Sequence, residues 1–297
     1  MPGANSVTSN QETIHKDLEE VVRKYARTTF LRPIADHTRE AFAEVEEFVR
    51  KFYGNAGTAP SAVILDSGCG TGESTIHIAR RFPNIPVIGI DKSCARLNKA
   101  GNPSQTAGEE IPANAFWIRA ELLDFWRLAL DRVKSGEWTI PYHAVYYPNP
   151  WPKQSEATRR FHMHPIFPTL LALGNTIELR TNWEIYAREF AEAARIVLSA
   201  QIPDQVRNDE GAERCRNMQA CFYTRGEPVM HLSYDEQGLT ARTRAFSLAN
   251  CSSQDSKGND GGTKITCEPF ESVAPETAFE RKYKEARQTL WRVEIKQ

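Results

Sequence analysis

Residues 63–75 read Val63-Ile64-Leu65-Asp66-Ser67-Gly68-Cys69-Gly70-Thr71-Gly72-Glu73-Ser74-Thr75. The apolar, partly β-branched run at 62–65 is short and bounded by turn residues, which predicts a buried parallel strand. Three glycines at alternate positions follow, and glycine accepts φ > 0 and lets a ligand approach the main chain closely. Gly-x-Gly-x-Gly between strand and helix points to a nucleotide or nucleoside site, although a tight strand-to-helix turn alone has the same pattern.

Two details separate this turn from a dinucleotide fingerprint. The fingerprint leaves two residues before its third glycine, and here there is one. Asp66 and Glu73 flank the turn, and two carboxylates repel a pyrophosphate but suit a cation. A second apolar run, 87–90, ends in Asp91, where an acidic side chain can accept both hydroxyls of a ribose. A cofactor with a ribose and a positive charge but no phosphate fits this set, and S-adenosylmethionine is such a cofactor. A nicotinamide-dependent oxidoreductase conflicts with Asp66 and with the glycine spacing.

Strand and helix alternate outward from this turn. A third strand at 115–120 ends at Glu121, with Asp124 placed to cap the next helix. Asp66, Asp91 and Glu121 then share the carboxyl edge of an open parallel sheet, where ligands bind. A fourth strand, 142–147, runs into Pro148-Asn149-Pro150-Trp151-Pro152-Lys153. Three prolines fix three φ angles, so the turn is stiff and holds Asn149 and Trp151 beside the crevice. Arg159 and Arg160 follow within a basic stretch, Thr176 opens a fifth strand, and Asn182 is placed to cap a helix. Thr277 and Glu280 have capping-box spacing, with Phe279 between them.

In this order the glycine turn, Pro-Asn-Pro-Trp-Pro-Lys, Arg159-Arg160, the 179–186 stretch and Thr277-Ala278-Phe279-Glu280 resemble bacterial tRNA (guanine-N7)-methyltransferases. The resemblance implies a class I methyltransferase, Rossmann-like α/β fold: a mostly parallel seven-stranded sheet with helices on both faces and an antiparallel C-terminal strand. It also implies S-adenosylmethionine as donor and a guanine in the tRNA variable loop as acceptor. By motif position, Asp66, Gly68, Gly70, Gly72, Asp91, Glu121 and Asn149 fall at the cofactor. Lys153, Asn182, Thr277, Phe279 and Glu280 fall at the substrate, and Arg159 and Arg160 at the RNA.

The chain departs from the family at two carboxylates: Asn149 stands where the family has its catalytic aspartate, and Asn182 where it has another. Two alternatives follow. Asparagine, proline and an aromatic at a fourth strand end resemble the turn of enzymes that methylate exocyclic amines. A relic that binds cofactor or RNA without catalysis is the non-enzymatic reading.

The 297 residues are 40% hydrophobic and 25% charged with a net charge of −1, which excludes a protein that coats nucleic acid through bulk charge. Six cysteines include no Cys-x-x-Cys pair, so no metal site is expected and free thiols are. Without a basic-apolar leader or a membrane-length apolar run, the chain reads as a cytoplasmic monomer. Residues 1–12 read as a mobile tail and 13–297 as one methyltransferase domain. Within it, 13–55 form N-terminal helices and 201–262 a disordered insertion.

Overall fold

The apolar runs become seven strands of one sheet. They are β1 (Ile64–Ser67), β2 (Val87–Asp91), β3 (Ala115–Arg119), β4 (Tyr142–Tyr146), β5 (Thr176–Thr181), β6 (Lys264–Phe270) and β7 (Leu290–Lys296). The computed structural model describes residues 6–54, 60–101, 110–200, 234–235, 238–239 and 262–297. The strand order is β6-β7-β5-β4-β1-β2-β3. β1 to β5 pair in parallel, and β7 runs antiparallel to both β5 and β6. This is the class I methyltransferase arrangement expected from the sequence.

The helices are α1 (Leu18–Ala26), α2 (Asp36–Tyr53), α3 (Glu73–Arg81), α4 (Cys94–Leu97), α5 (Leu122–Lys134), α6 (Phe167–Leu171), α7 (Glu184–Ala200) and α8 (Ala278–Glu285). Because strand side chains alternate between faces, β1 feeds two cores. Leu65 joins Ile88, Val145 and Leu179 against Val45, Phe125 and Phe190, while Ile64 joins Val87, Ala144 and Tyr146 against Ile78 and Ala79. The two faces differ in chemistry as well. The α3 face also carries Asp66, Glu178 and Arg180, all buried.

Several local expectations are corrected. Residues 6–12 are not a free tail: Gln11 is buried, its amide donates to Glu189 Oε1 at 2.6 Å, and Ser9 donates to the Pro152 carbonyl at 2.7 Å. Asp124 does not cap α5. It lies in the first turn, buried, and accepts from Arg32 and from the Ala35 N–H. Asn182 does not cap α7 either, since its amide donates to Gln288 Oε1 at 3.0 Å and Thr181 Oγ1 accepts from the Trp183 N–H.

The chain divides into two units, Met1–Ser199 with Thr263–Gln297, and Ala200–Gly262. In the second, the two-residue strands Tyr234–Asp235 and Gly238–Leu239 pair antiparallel. The disorder expected at 201–262 otherwise falls outside the described residues. No helix among the described residues is long and apolar enough to cross a membrane.

Candidate active site

The glycine turn has the backbone its sequence demands. Gly68, Gly70 and Gly72 have φ of 82°, 61° and 80°, and Gly72 is the N-cap of α3. A Cβ on Gly72 would meet Trp117 Nε1 at 2.3 Å, and one on Gly89 would meet Thr75 Oγ1 at 2.4 Å. Trp117, from β3, donates to the Gly72 carbonyl at 3.3 Å and so braces the turn from beneath. Sequence reasoning gave Trp117 no role.

Asp66 is 1% exposed. Its Oδ2 accepts from Ser74 and Thr75 hydroxyls, both at 2.6 Å, while Oδ1 is buried without a partner. Burial pushes its carboxyl up to about 6. An orphaned buried acceptor beside a glycine turn fits a ligand that brings an N–H and positive charge. Asp91 is buried at the next strand end, where Oδ2 accepts from the Gly70 N–H at 3.1 Å and Oδ1 from the Ser93 N–H and Arg96. It therefore fastens the turn as well as facing the crevice. Glu121, half-buried, lines a concavity with Arg32, Lys92 and Arg119 at the third strand end. The larger groove among Leu18, Arg188, Arg195 and Trp291 contains none of the expected site residues.

After β4, Tyr147 and Trp151 both take positive φ, 50° and 44°. Non-glycine residues in that region are strained by roughly 1–3 kcal/mol each and persist where surrounding structure fixes them. Between them Asn149 is exposed, with its Oδ1 accepting from the Trp151 N–H at 3.4 Å. Lys153 is exposed, and the Arg159 guanidinium lies 3.3 Å from the centroid of the Trp151 ring. The turn thus presents an amide, an ammonium and a guanidinium-covered indole together.

Arg160 must be removed from the RNA side. It has no exposed surface: Nη1 donates to Glu189 Oε2 at 2.7 Å, and Nη2 to Gln11 and to the Trp151 carbonyl. A guanidinium so enclosed cannot reach a phosphate. His162 completes this cluster, with Nε2 2.9 Å from Glu189 Oε2. Although burial opposes its charge, Glu189 is held down at about 2 by His162, Arg160 and the His15 N–H. Arg160 instead positions the turn from behind, through the Trp151 carbonyl.

At the C-terminal end, Thr277 Oγ1 accepts from the Glu280 N–H, so it is the N-cap of α8. Glu280 is fully buried. It accepts from Tyr147, Arg180 and Ser272, and from the Glu276 N–H. Those four donors occupy the carboxylate, which places Glu280 under the Pro-Asn-Pro-Trp turn rather than open to a substrate. Phe279, half exposed, stacks on Tyr283 and lies near Tyr147. Glu73 pairs with Arg281, so α8 is tied to the helix that leaves the glycine turn.

Two further networks escaped sequence reasoning. On the α3 face, Arg180 donates to Glu178, Glu276 and Glu280, while Tyr146 donates to Tyr142 and Tyr142 to Glu178. The signal was alternation: polar residues at 142 and 146 and at 178 and 180 fall on one face of adjacent strands. On the opposite face, Trp126 donates to Ser67 Oγ at 2.9 Å, and Ser67 lies 2.8 Å from His143 Nε2. His143 Nδ1 lies 2.8 Å from the Leu173 carbonyl, which can only accept, so Nδ1 carries the proton and Nε2 accepts from Ser67. Burial pulls this imidazole down to about 4.

A family model described as "Putative methyltransferase" matches residues 60–220, more than half of the chain. A tRNA (guanine-N(7)-)-methyltransferase of Neisseria meningitidis is 30% identical over 132 residues, which are 43% of this chain and 52% of that protein. One from Mycolicibacterium gilvum is 30% identical over 138 residues, 44% and 49% of the two chains. A trans-aconitate 2-methyltransferase of Deinococcus radiodurans is 55% identical over 42 residues, 14% and 16% of the two. The chain thus spans at most about half the length of these relatives. Among solved structures, the aminoglycoside resistance methyltransferase NpmB1 aligns with 17% identity and a TM-score of 0.37, covering 86% of this chain and 92% of that one.

Proposed function

The chain belongs to the putative methyltransferase family, and from that premise we propose that it moves a methyl group from S-adenosylmethionine to an RNA base, namely guanine N7 of tRNA. The observation that carries the cofactor is Asp66 Oδ1, a buried acceptor left without a partner beside the glycine turn. Asp66, the turn from Gly68 to Gly72, Asp91 and Glu121 would hold it. Bound there, the cofactor supplies a methyl group on a sulfonium, an electrophile that needs no metal.

Support for an RNA base comes from the exposed turn with Lys153 and Arg159, and from the guanine-N7 relatives. Guanine N7 has a free lone pair and no proton, so no general base is needed. Transfer from the bound cofactor would form the N7–methyl bond at the expense of the methyl–sulfur bond, leaving the electron pair on sulfur and the positive charge on the guanine ring. Asn149 offers an acceptor oxygen to that charge without carrying one itself. Its task is to orient the base, and that of Lys153 and Arg159 is to hold the backbone.

The test is methyl transfer from labelled S-adenosylmethionine to tRNA lacking 7-methylguanosine, with mass identification of the modified nucleoside. We expect 7-methylguanosine from the native chain and about tenfold more from Asn149→Asp, which restores a charge worth roughly 1.4 kcal/mol in the transition state. A methylated exocyclic amine would establish the rival acceptor instead. No product from either protein, with cofactor bound, would leave a binding role.

A further inference from the structure

On the α3 face two carboxylate oxygens are buried without partners, Asp66 Oδ1 and Glu276 Oε2. Each carboxylate is fixed through its other oxygen. Asp66 Oδ2 accepts from Ser74 and Thr75 in the first turn of α3, and Glu276 Oε1 accepts from Arg81 at the end of α3 and from Arg180, both at 3.2 Å. The sheet sets Asp66 and the Arg180 that holds Glu276 on one face. Asp66 is in register with Ala144, Ala144 with Glu178, and Tyr146 with Arg180, and residues in register on parallel strands share a face. Ala144 contributes only a methyl group between Asp66 and the polar residues beyond. The charge of Glu276 also raises the Asp66 carboxyl, more than that of Asp91 on the neighbouring strand.

This layer is short of positive charge. Glu178, Glu276 and Glu280 share the guanidiniums of Arg81 and Arg180 through the hydrogen bonds described, and Asp66 on the same face has hydroxyl partners but no guanidinium. Buried carboxylates in excess of cations are unfavourable until a cation joins them. Two unfilled acceptors on separate carboxylates suit an ammonium, a compact charge with three diverging donors.

We propose that Glu276 binds the α-ammonium of S-adenosylmethionine jointly with Asp66. The inference rests on the methyltransferase reading and adds a cofactor ligand from the C-terminal segment. Glu276 lies just before the Thr277-Ala278-Phe279-Glu280 stretch that the resemblance singles out. Arg81 and Arg180 are its positioning residues.

Calorimetry on the full chain tests this with three ligands: S-adenosylhomocysteine, its deamino analogue, and 5′-methylthioadenosine, which lacks the amino-acid end. Glu276→Gln keeps the shape and an acceptor for the arginines but turns a donor toward the ammonium. We expect it to weaken S-adenosylhomocysteine roughly tenfold or more while 5′-methylthioadenosine stays within about twofold. Equal losses for both ligands, or none for either, overturn the proposal. If the variant melts before the titration, the native chain decides: the deamino analogue must bind roughly tenfold more weakly than S-adenosylhomocysteine, and equal binding overturns the proposal. A native chain that binds none of the three overturns the methyltransferase reading along with it.

Discussion

Arg159 and Arg160 are neighbours in sequence with opposite circumstances. Arg159 lies exposed over the Trp151 ring, an arrangement worth about 0.5–1 kcal/mol, and Arg160 is enclosed with Glu189. Arg159→Ala should leave stability within about 0.5 kcal/mol and reduce the salt slope of RNA binding by roughly one, as measured by filter binding across salt concentrations. Arg160→Ala strands a buried carboxylate and should cost about 3–5 kcal/mol in urea unfolding. Asp66 shows a second contrast. Its folded carboxyl sits near 6, above the ordinary 3.8, so the folded chain binds its proton more tightly than the unfolded one. Asp66 is therefore best tolerated below pH 4, and the folded chain loses that advantage as pH rises through 6. A cation needs the ionised form, so S-adenosylhomocysteine should bind more weakly as pH falls below 6. Asp66→Asn should raise the melting temperature of the ligand-free protein at pH 7.5, lower cofactor affinity and abolish this pH dependence; a variant that melts lower would contradict the burial argument.

At the scale of elements, α8 shows how much was legible. Thr277 and Glu280 announce a helix start by spacing alone, and the cap forms. The partners of Glu280 could not be read there, because Tyr147, Arg180 and Ser272 come from three separate segments. Strands and their ends were legible because buried parallel strands read as apolar runs, as 62–65 and 87–90 do, each closed by an acidic residue. Asp124 and Asn182 were misassigned for one reason. Each has a residue type that favours caps, and each found a stronger distant partner in Arg32 or Gln288. Arg160 looked like a surface cation because its neutralising Glu189 lies 29 residues along the chain. Glu280→Gln removes a buried charge that Arg180 depends on and should destabilise by about 3–5 kcal/mol. Thr277→Ala removes only a cap, at about 1 kcal/mol. Paired urea titrations would separate the two, and equal losses would mean that Glu280 serves α8 only as a cap partner.

For the folded chain as a whole, buried histidines and carboxylates shape its response to acid. His143 is held near 4, below its ordinary 6.5, so the unfolded chain binds its proton more tightly and stability drains away as pH falls from 6.5 through 4. Asp66 works in the opposite direction between 6 and 3.8, and each shift corresponds to about 3 kcal/mol. Burial holds His162 below its ordinary value as well, so the histidines together outweigh Asp66: the native chain should lose stability as pH falls from 6.5 to 4, and Asp66→Asn should lose about 3 kcal/mol more. Below 4.5, Glu189, held near 2, withdraws its contribution as it takes up a proton, and the fold should weaken steeply. Urea titrations at half-unit pH steps would show a decline that is shallower in the native chain than in Asp66→Asn, and a steeper fall below 4.5. Equal declines in the native chain and Asp66→Asn between 6.5 and 4 would mean that Asp66 titrates near its ordinary value. The Trp117 brace bears on something else, the speed of capture. A glycine turn whose carbonyl is already hydrogen-bonded to an indole from the sheet has no loop left to order when the cofactor arrives. Encounter by diffusion, rather than a rearrangement of the turn, then sets the pace at which the cofactor is taken up.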